Sequence, residues 1–167
     1  MKSDSMIEEM YGRYAKPVKW YLISLCGNND IADDITSEVF LKAIKNIDRF
    51  KGGNMLAWLC TIGKNTYFDY IRKKENTNVN ISSHLAQTVE DTAPSPEEKI
   101  IEKDRRVMLY RALQSIDHEY REVMYLKLFA DLTFKEIGGI LGKSENWTRV
   151  VFYRTKNKLK GMIHYED

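Results

Sequence analysis

The chain has 167 residues, 26 Lys and Arg against 24 Asp and Glu, and 43% hydrophobic residues, enough apolar content for one globular domain or two small ones and too much for wholesale disorder. The charge is unevenly placed: residues 1–74 carry 12 basic and 9 acidic side chains, 75–104 carry 2 and 7, and 105–167 carry 12 and 8. Two basic blocks flanking an acidic middle hint at contact with nucleic acid. The longest apolar run, Trp20 to Cys26 broken by Ser24, is far below the ~18–20 residues that span a bilayer, and the first residues lack a secretory pattern, so the expected location is cytoplasmic. Cys26 and Cys60 form no metal framework and no disulfide scaffold and read as half-buried thiols.

The first block is helical throughout. Ile7, Met10, Tyr11, Tyr14, Val18, Tyr21, Leu22 and Leu25 recur at three- and four-residue steps. Pro17 kinks or restarts this helix, and Gly27-Asn28-Asn29-Asp30 is a stop followed by a start, with Asp30 as N-cap. Ile31, Ile35, Val39, Ala43 and Ile47 then step down one face, while Asp33 and Asp34 sit at the positive end of the helix dipole. Residues 48–54 are a polar break containing Gly52-Gly53. A third amphipathic helix follows, with Met55, Leu59, Ile62, Thr66 and Tyr70 on its stripe and Arg72-Lys73-Lys74 at its end.

Residues 75–95 are rich in turn formers and acids and read as a flexible linker. Ser95-Pro96-Glu97-Glu98 opens a second block as N-cap, first-turn proline and first-turn acids, leading a helix to about Ser115 with Ile100, Ile101, Met108, Leu109, Ala112 and Leu113 inward. Asp117 or His118 opens the next helix. Thr133-Phe134-Lys135-Glu136 is a capping box that starts a short helix, Phe134 to Leu141. Gly142-Lys143 is a tight turn, and Ser144 caps a last helix running to about Met162. A short helix, a glycine turn and a longer helix make a helix-turn-helix. The fold class is therefore all-α, two small helical domains (1–74 and 96–167) joined by the linker, the second carrying the helix-turn-helix.

On the last helix Thr148, Phe152, Thr155 and Leu159 form the inward stripe. Asn146, Arg149, Val150, Tyr153, Arg154, Lys156 and Asn157 face outward, the types and placement that read base edges and meet phosphates in a major groove. No enzyme chemistry stands out. His84, His118 and His164 are scattered without metal-ligand spacing, no glycine-rich phosphate loop follows a strand, and Asp33 and Asp34 point about 100° apart. The chain is expected to be no enzyme and to need no cofactor, metal or small-molecule substrate.

Three stretches resemble the extracytoplasmic-function RNA polymerase sigma factors. They are the acidic segment Ile31 to Lys42; Phe50 with Trp58-Leu59-Cys60-Thr61-Ile62-Gly63-Lys64-Asn65, Asp69 and Arg72; and Thr133 to Gly138 with Leu141-Gly142-Lys143-Ser144. The resemblance covers about residues 6–74 and 105–162. It implies a transcription initiation factor that binds core RNA polymerase and directs it to promoters. Asp33, Asp34 and Glu38 would dock on the clamp of the largest subunit. Asp48, Arg49, Phe50, Trp58, Lys64, Asn65, Arg72 and Lys73 would meet the −10 element as it melts, with Trp58 reading more readily as core packing and Asn65 the better base contact. Lys143, Ser144, Asn146, Arg149, Val150, Tyr153, Arg154 and Lys156 would meet the −35 element. It also implies an anti-sigma partner, in this family often membrane-anchored. Asn146, Trp147 and Val151 depart from the family pattern, Val151 replacing a frequent Arg and so removing one expected DNA contact, and Gly63 replaces a common Ala. The competing reading is a helix-turn-helix regulator that binds duplex operators as a dimer without polymerase.

Overall fold

A computed structural model describes residues 2–77, 108–109 and 111–163, and the described residues are helical with short connections. Helix α1 spans Lys2–Cys26 in one piece. Pro17 lies inside it and lacks the N–H that would donate to the Arg13 carbonyl; position 13 is exposed, so water can take that acceptor and the helix continues. Gly27 ends it at φ 63°, its N–H donating to the Ile23 carbonyl at 2.8 Å. Helix α2, Asn29–Lys45, is capped by Asn28, whose side-chain oxygen accepts from the Ile31 N–H at 3.0 Å. This corrects the expected Asp30 cap. Asp30 sits in the first turn, where its charge still suits the dipole.

The inward face of α2 is Ala32, Ile35, Thr36, Val39, Phe40 and Ala43; Ile47 falls beyond it, in a 3-10 turn over Ile47–Arg49. After the left-handed Gly52 and Gly53, Asn54 caps helix α3, Met55–Asn76, which buries Leu56, Leu59, Cys60, Gly63, Thr66 and Tyr67. The helix outlasts the expected domain end at 74. The rest of the proposed linker, and the cap at Ser95-Pro96 with Ile100 and Ile101, lie outside the described residues.

In the second block residues 111–114 are helical, with Leu113 and Ile116 buried. Met108, expected inward, is 43% exposed: it lies about 140° around a helix from Leu113, outside the face that Leu109, Ala112 and Leu113 share. Helix α4 is His118–Leu128, α5 is Phe134–Leu141 and α6 is Glu145–Met162. The capping box forms in full: Thr133 Oγ1 accepts from the Glu136 N–H at 3.1 Å and the Thr133 N–H donates to Glu136 Oε2 at 2.8 Å. Gly142 takes the left-handed conformation at φ 67° and Ser144 Oγ accepts from the Trp147 N–H at 3.0 Å. The two blocks pack against each other. Helix α1 packs on α4 and α3 on α5, the Trp20 and Phe129 rings stack at 6.3 Å, and one apolar cluster runs through both.

The glycine pair of α5 gives a test with opposite signs. A Cβ on Gly138 would sit 2.6 Å from the Lys143 carbonyl oxygen, whereas one on Gly139 meets nothing within 4 Å. Gly138→Ala should lower stability by about 1–3 kcal/mol, and Gly139→Ala should raise it by about 0.5–1 kcal/mol. Urea midpoints of the two variants check this, and equal midpoints would disprove the close approach.

The thiols give a second. Both cysteines are buried, burial pushing Cys60 up to about 12 and Cys26 in the same direction. Neither is a thiolate at neutral pH, so iodoacetamide at pH ~8 should label the native chain slowly and the urea-unfolded chain fast. Rapid labelling of both thiols in the native chain would contradict the packing.

Candidate partner and nucleic-acid interfaces

Three exposed surfaces carry the residues singled out by sequence. The first is the outer face of α2. Asp33, Asp34 and Glu38 are all exposed. Asp33 pairs with Lys19 of α1 at 2.7 Å and Glu38 with Lys42 at 3.0 Å. Asp34, Glu38 and Leu41 fall at steps of four and three, one stripe of the helix. Leu41, 59% exposed, was not picked out by the sequence reading, although its place seven residues after Asp34 is legible. The stripe therefore pairs acids with an apolar anchor, the composition of a protein-docking face.

The second surface runs from the 3-10 turn along α3. Asp48 and Arg49 are exposed; Phe50 is half-buried and tilted against Trp58 with centroids 5.2 Å apart. Trp58 is itself half-buried against the core, so it forms a wall with Phe50 and not a free stacking platform. Asn65, Phe68 and Arg72 are exposed and follow one another at steps of three and four. Arg72 pairs with Asp69, and Lys73 is exposed beside it. Phe68, 40% exposed, is a second residue the sequence reading missed. An aromatic face between an amide and a guanidinium is the usual equipment for holding single-stranded bases. Lys64 behaves differently: its side chain is 18% exposed and its ammonium is bound to Glu122 at 3.1 Å.

The third surface is α6. Thr148, Val151, Phe152, Thr155 and Leu159 are buried, one more than the expected stripe. Position 151 thus faces the core, so Val151 removes no contact from the outer face. Asn146, Arg149, Val150, Tyr153, Arg154 and Lys156 are all exposed. Arg149 is held between Glu145 at 3.0 Å and the face of Phe134 at 5.5 Å. Lys143 pairs with Glu119 at 3.3 Å and lies over Trp147 at 5.1 Å. Ser144 accepts in its cap, which leaves its hydroxyl hydrogen to donate outward.

A buried acid joins the halves. Glu122 on α4, 3% exposed, accepts from the Tyr21 hydroxyl at 2.9 Å and from Lys64 at 3.1 Å, both on Oε2. Burial, then the neighbouring Glu122 charge, pushes the Tyr21 hydroxyl well above its ordinary value, so it stays a donor through the neutral range. Sequence reading passed over Glu122, although a lone acid among Val123, Met124 and Leu126 was visible. Among the described residues no group of His, Cys, Asp and Glu is placed to hold a metal ion, and no helix is long and apolar enough to cross a membrane.

Comparison with known proteins adds to this geometry. The Sigma-70 region 2 family matches residues 10–77, the span from within α1 to the end of α3. The chain is 27% identical over 159 residues to the ECF RNA polymerase sigma factor SigM of Bacillus subtilis (strain 168), covering 95% of each. It is 27% identical over 164 residues to the RNA polymerase sigma factor YlaC of the same organism, covering 96% of this chain and 93% of YlaC. Among solved structures, the sigma factor RpoE of Bartonella quintana, determined with the anti-sigma factor NepR, superposes with a TM-score of 0.71 at 21% identity over 96% of this chain and 98% of that one. CnrH, determined with the cytosolic domain of CnrY, gives 0.64 at 19% identity, over 95% and 88%. These two are likenesses of fold. Residues 10–77 thus match Sigma-70 region 2, and along nearly its whole length the chain is similar to RNA polymerase sigma factors, an extracytoplasmic-function one among them.

Proposed function

We propose that this sigma factor divides its work between its two blocks as follows. Residues 1–74 dock on the clamp of core RNA polymerase through Asp33, Asp34, Glu38 and Leu41 of α2. They take the melted −10 strand along Asp48, Arg49, Phe50, Lys64, Asn65, Phe68, Arg72 and Lys73, with Trp58 as the wall behind Phe50. Residues 96–167 read the −35 duplex with α6, Arg149, Val150, Tyr153 and Arg154 toward bases and Lys143, Ser144, Asn146 and Lys156 toward the backbone. The observation that carries this is the pairing of two different exposed faces on one chain. Helix α6 offers the arginine-rich outer face of a capped helix-turn-helix, suited to duplex. Helix α3 offers the amide–aromatic–guanidinium stripe, suited to single strands. A duplex-operator regulator needs only the first, and the region 2 match falls on the second.

An anti-sigma factor is the proposed regulatory partner, supported by the sigma factor RpoE, of the same fold, having been determined with the anti-sigma factor NepR. The chain is proposed to act in the cytoplasm, where its polymerase and DNA targets are.

Two substitutions test the assignment. Asp34→Lys should weaken one-to-one binding to core polymerase at least tenfold while leaving the circular dichroism spectrum unchanged; undiminished affinity removes Asp34 from the docking face. Arg149→Ala should lose about 1–3 kcal/mol of discrimination at one −35 position. A uniform loss over all duplex sequences would make Arg149 a phosphate contact instead.

A further inference from the structure

On the α3 surface Arg72 pairs with Asp69 in solvent, whereas the charge of Lys64 is taken by a buried acid. Its ammonium meets Glu122 Oε2 at 3.1 Å and lies 5.6 Å from the centre of the Phe68 ring. Glu122 is anchored on the far side by the Tyr21 hydroxyl at 2.9 Å. Its other oxygen faces His118 Nδ1 at 3.3 Å, and His118 Nε2 lies 3.3 Å from the Leu25 carbonyl oxygen. One carboxylate thereby ties α1 and α3 of the first block to α4 of the second. To a lysine, an anionic oxygen at this distance is what a DNA phosphate would supply. The α6 face is not treated this way: Arg149, Tyr153 and Arg154 stay exposed, and the Arg149–Glu145 pair is in solvent, where such a pair exchanges readily.

We propose that Glu122 is an internal competitor for nucleic acid, an autoinhibitory latch. It keeps the free chain closed and withholds Lys64 from single-stranded DNA, while the duplex-reading face of α6 stays open. The inference rests on the assignment of α3 to single-stranded DNA made above. Its physical basis is that a buried carboxylate is tolerated only with its partners in place. Closure is therefore close to all-or-none, because when the blocks part, Glu122, Tyr21 and Lys64 all gain water together. A free sigma factor built this way meets duplex DNA first and takes the melted strand only after something has separated its halves.

The test uses the full chain and fluorescence anisotropy with two labelled probes, a mixed-sequence single strand and a mixed-sequence duplex of about 20 nucleotides, at about 100 mM salt. Glu122→Gln should raise affinity for the single strand about tenfold, the worth of one charge-assisted contact, with less than about twofold change on the duplex. Tyr21→Phe, which keeps the ring and removes only the anchor, should shift it the same way by a smaller factor. Adding Lys64→Gln to Glu122→Gln should return the single-strand affinity to the starting level, and small-angle scattering should show a larger radius of gyration for Glu122→Gln. An equal gain on both probes would mean only a change of net charge and would overturn the latch. So would a gain that survives Lys64→Gln, or no gain from either variant when both keep the native helical spectrum. Failure of the sigma assignment reads out separately, as an unsubstituted chain that does not bind core polymerase, because the latch cycle uses DNA alone.

Discussion

A carboxylate in an apolar interior is stable only when its oxygens are occupied. Glu122 lies within the apolar cluster that runs from Val18, Leu22 and Leu59 of the first block to Val123 and Leu126 of the second, and it meets that condition with donors from α1 and α3. The placement of α4 against the first block is therefore tied to two side chains that have no sequence proximity to it. Removing one partner of such a buried pair generally costs about 3–5 kcal/mol, because the other charge is left uncompensated. Apolar packing between α1 and α4 supplies attraction without direction; the acid supplies the register.

The same constraint separates the two surfaces proposed to meet nucleic acid. Charges on α6 and in the turn before it are paired in solvent, Arg149 with Glu145 along the helix and Lys143 with Glu119 of α4. Exposed pairs of this kind are worth about 0.2–1 kcal/mol and yield to a phosphate or a base edge at little cost. Lys64 belongs to a desolvated pair across two blocks, so freeing it means moving helices. One chain thus carries an α6 face whose cations are exposed and an α3 face whose Lys64 is held by a buried acid. The difference comes from burial and not from residue type.

The helix-turn-helix owes its geometry to local chemistry. Thr133 and Glu136 satisfy each other's backbone donors, Gly142 turns the chain in the left-handed region, Ser144 caps α6, and Gly138 lets the Lys143 carbonyl come close. Each acts within a few residues of its own position, so the unit is set by its own short sequence and delivers α6 with its basic face outward. The α2 face is equally local: Asp34, Glu38 and Leu41 share a stripe because of the helical period alone.

That locality explains what was legible beforehand. Helix type and most boundaries, the capping box, the turn and the inward and outward faces of α6 follow from period and cap chemistry within ten or so residues, and the sequence by itself determined them. The misplaced α2 cap turned on which of Asn28 and Asp30 fills one position, a choice between equally good capping residues. Met108 reads as inward only if the face is drawn one step wider than the one Leu109, Ala112 and Leu113 share. What only the tertiary structure decided is which exposed-looking charges are exposed. Lys64 and Asn65 are adjacent in sequence and equally polar, yet one is bound to an acid 58 positions away and the other is open to solvent. Phe68 likewise became a candidate only once its ring was found outside the core. No local period records such a pairing, because the energy of a buried ion pair depends on the water removed when distant helices meet, and that is a property of the packed chain.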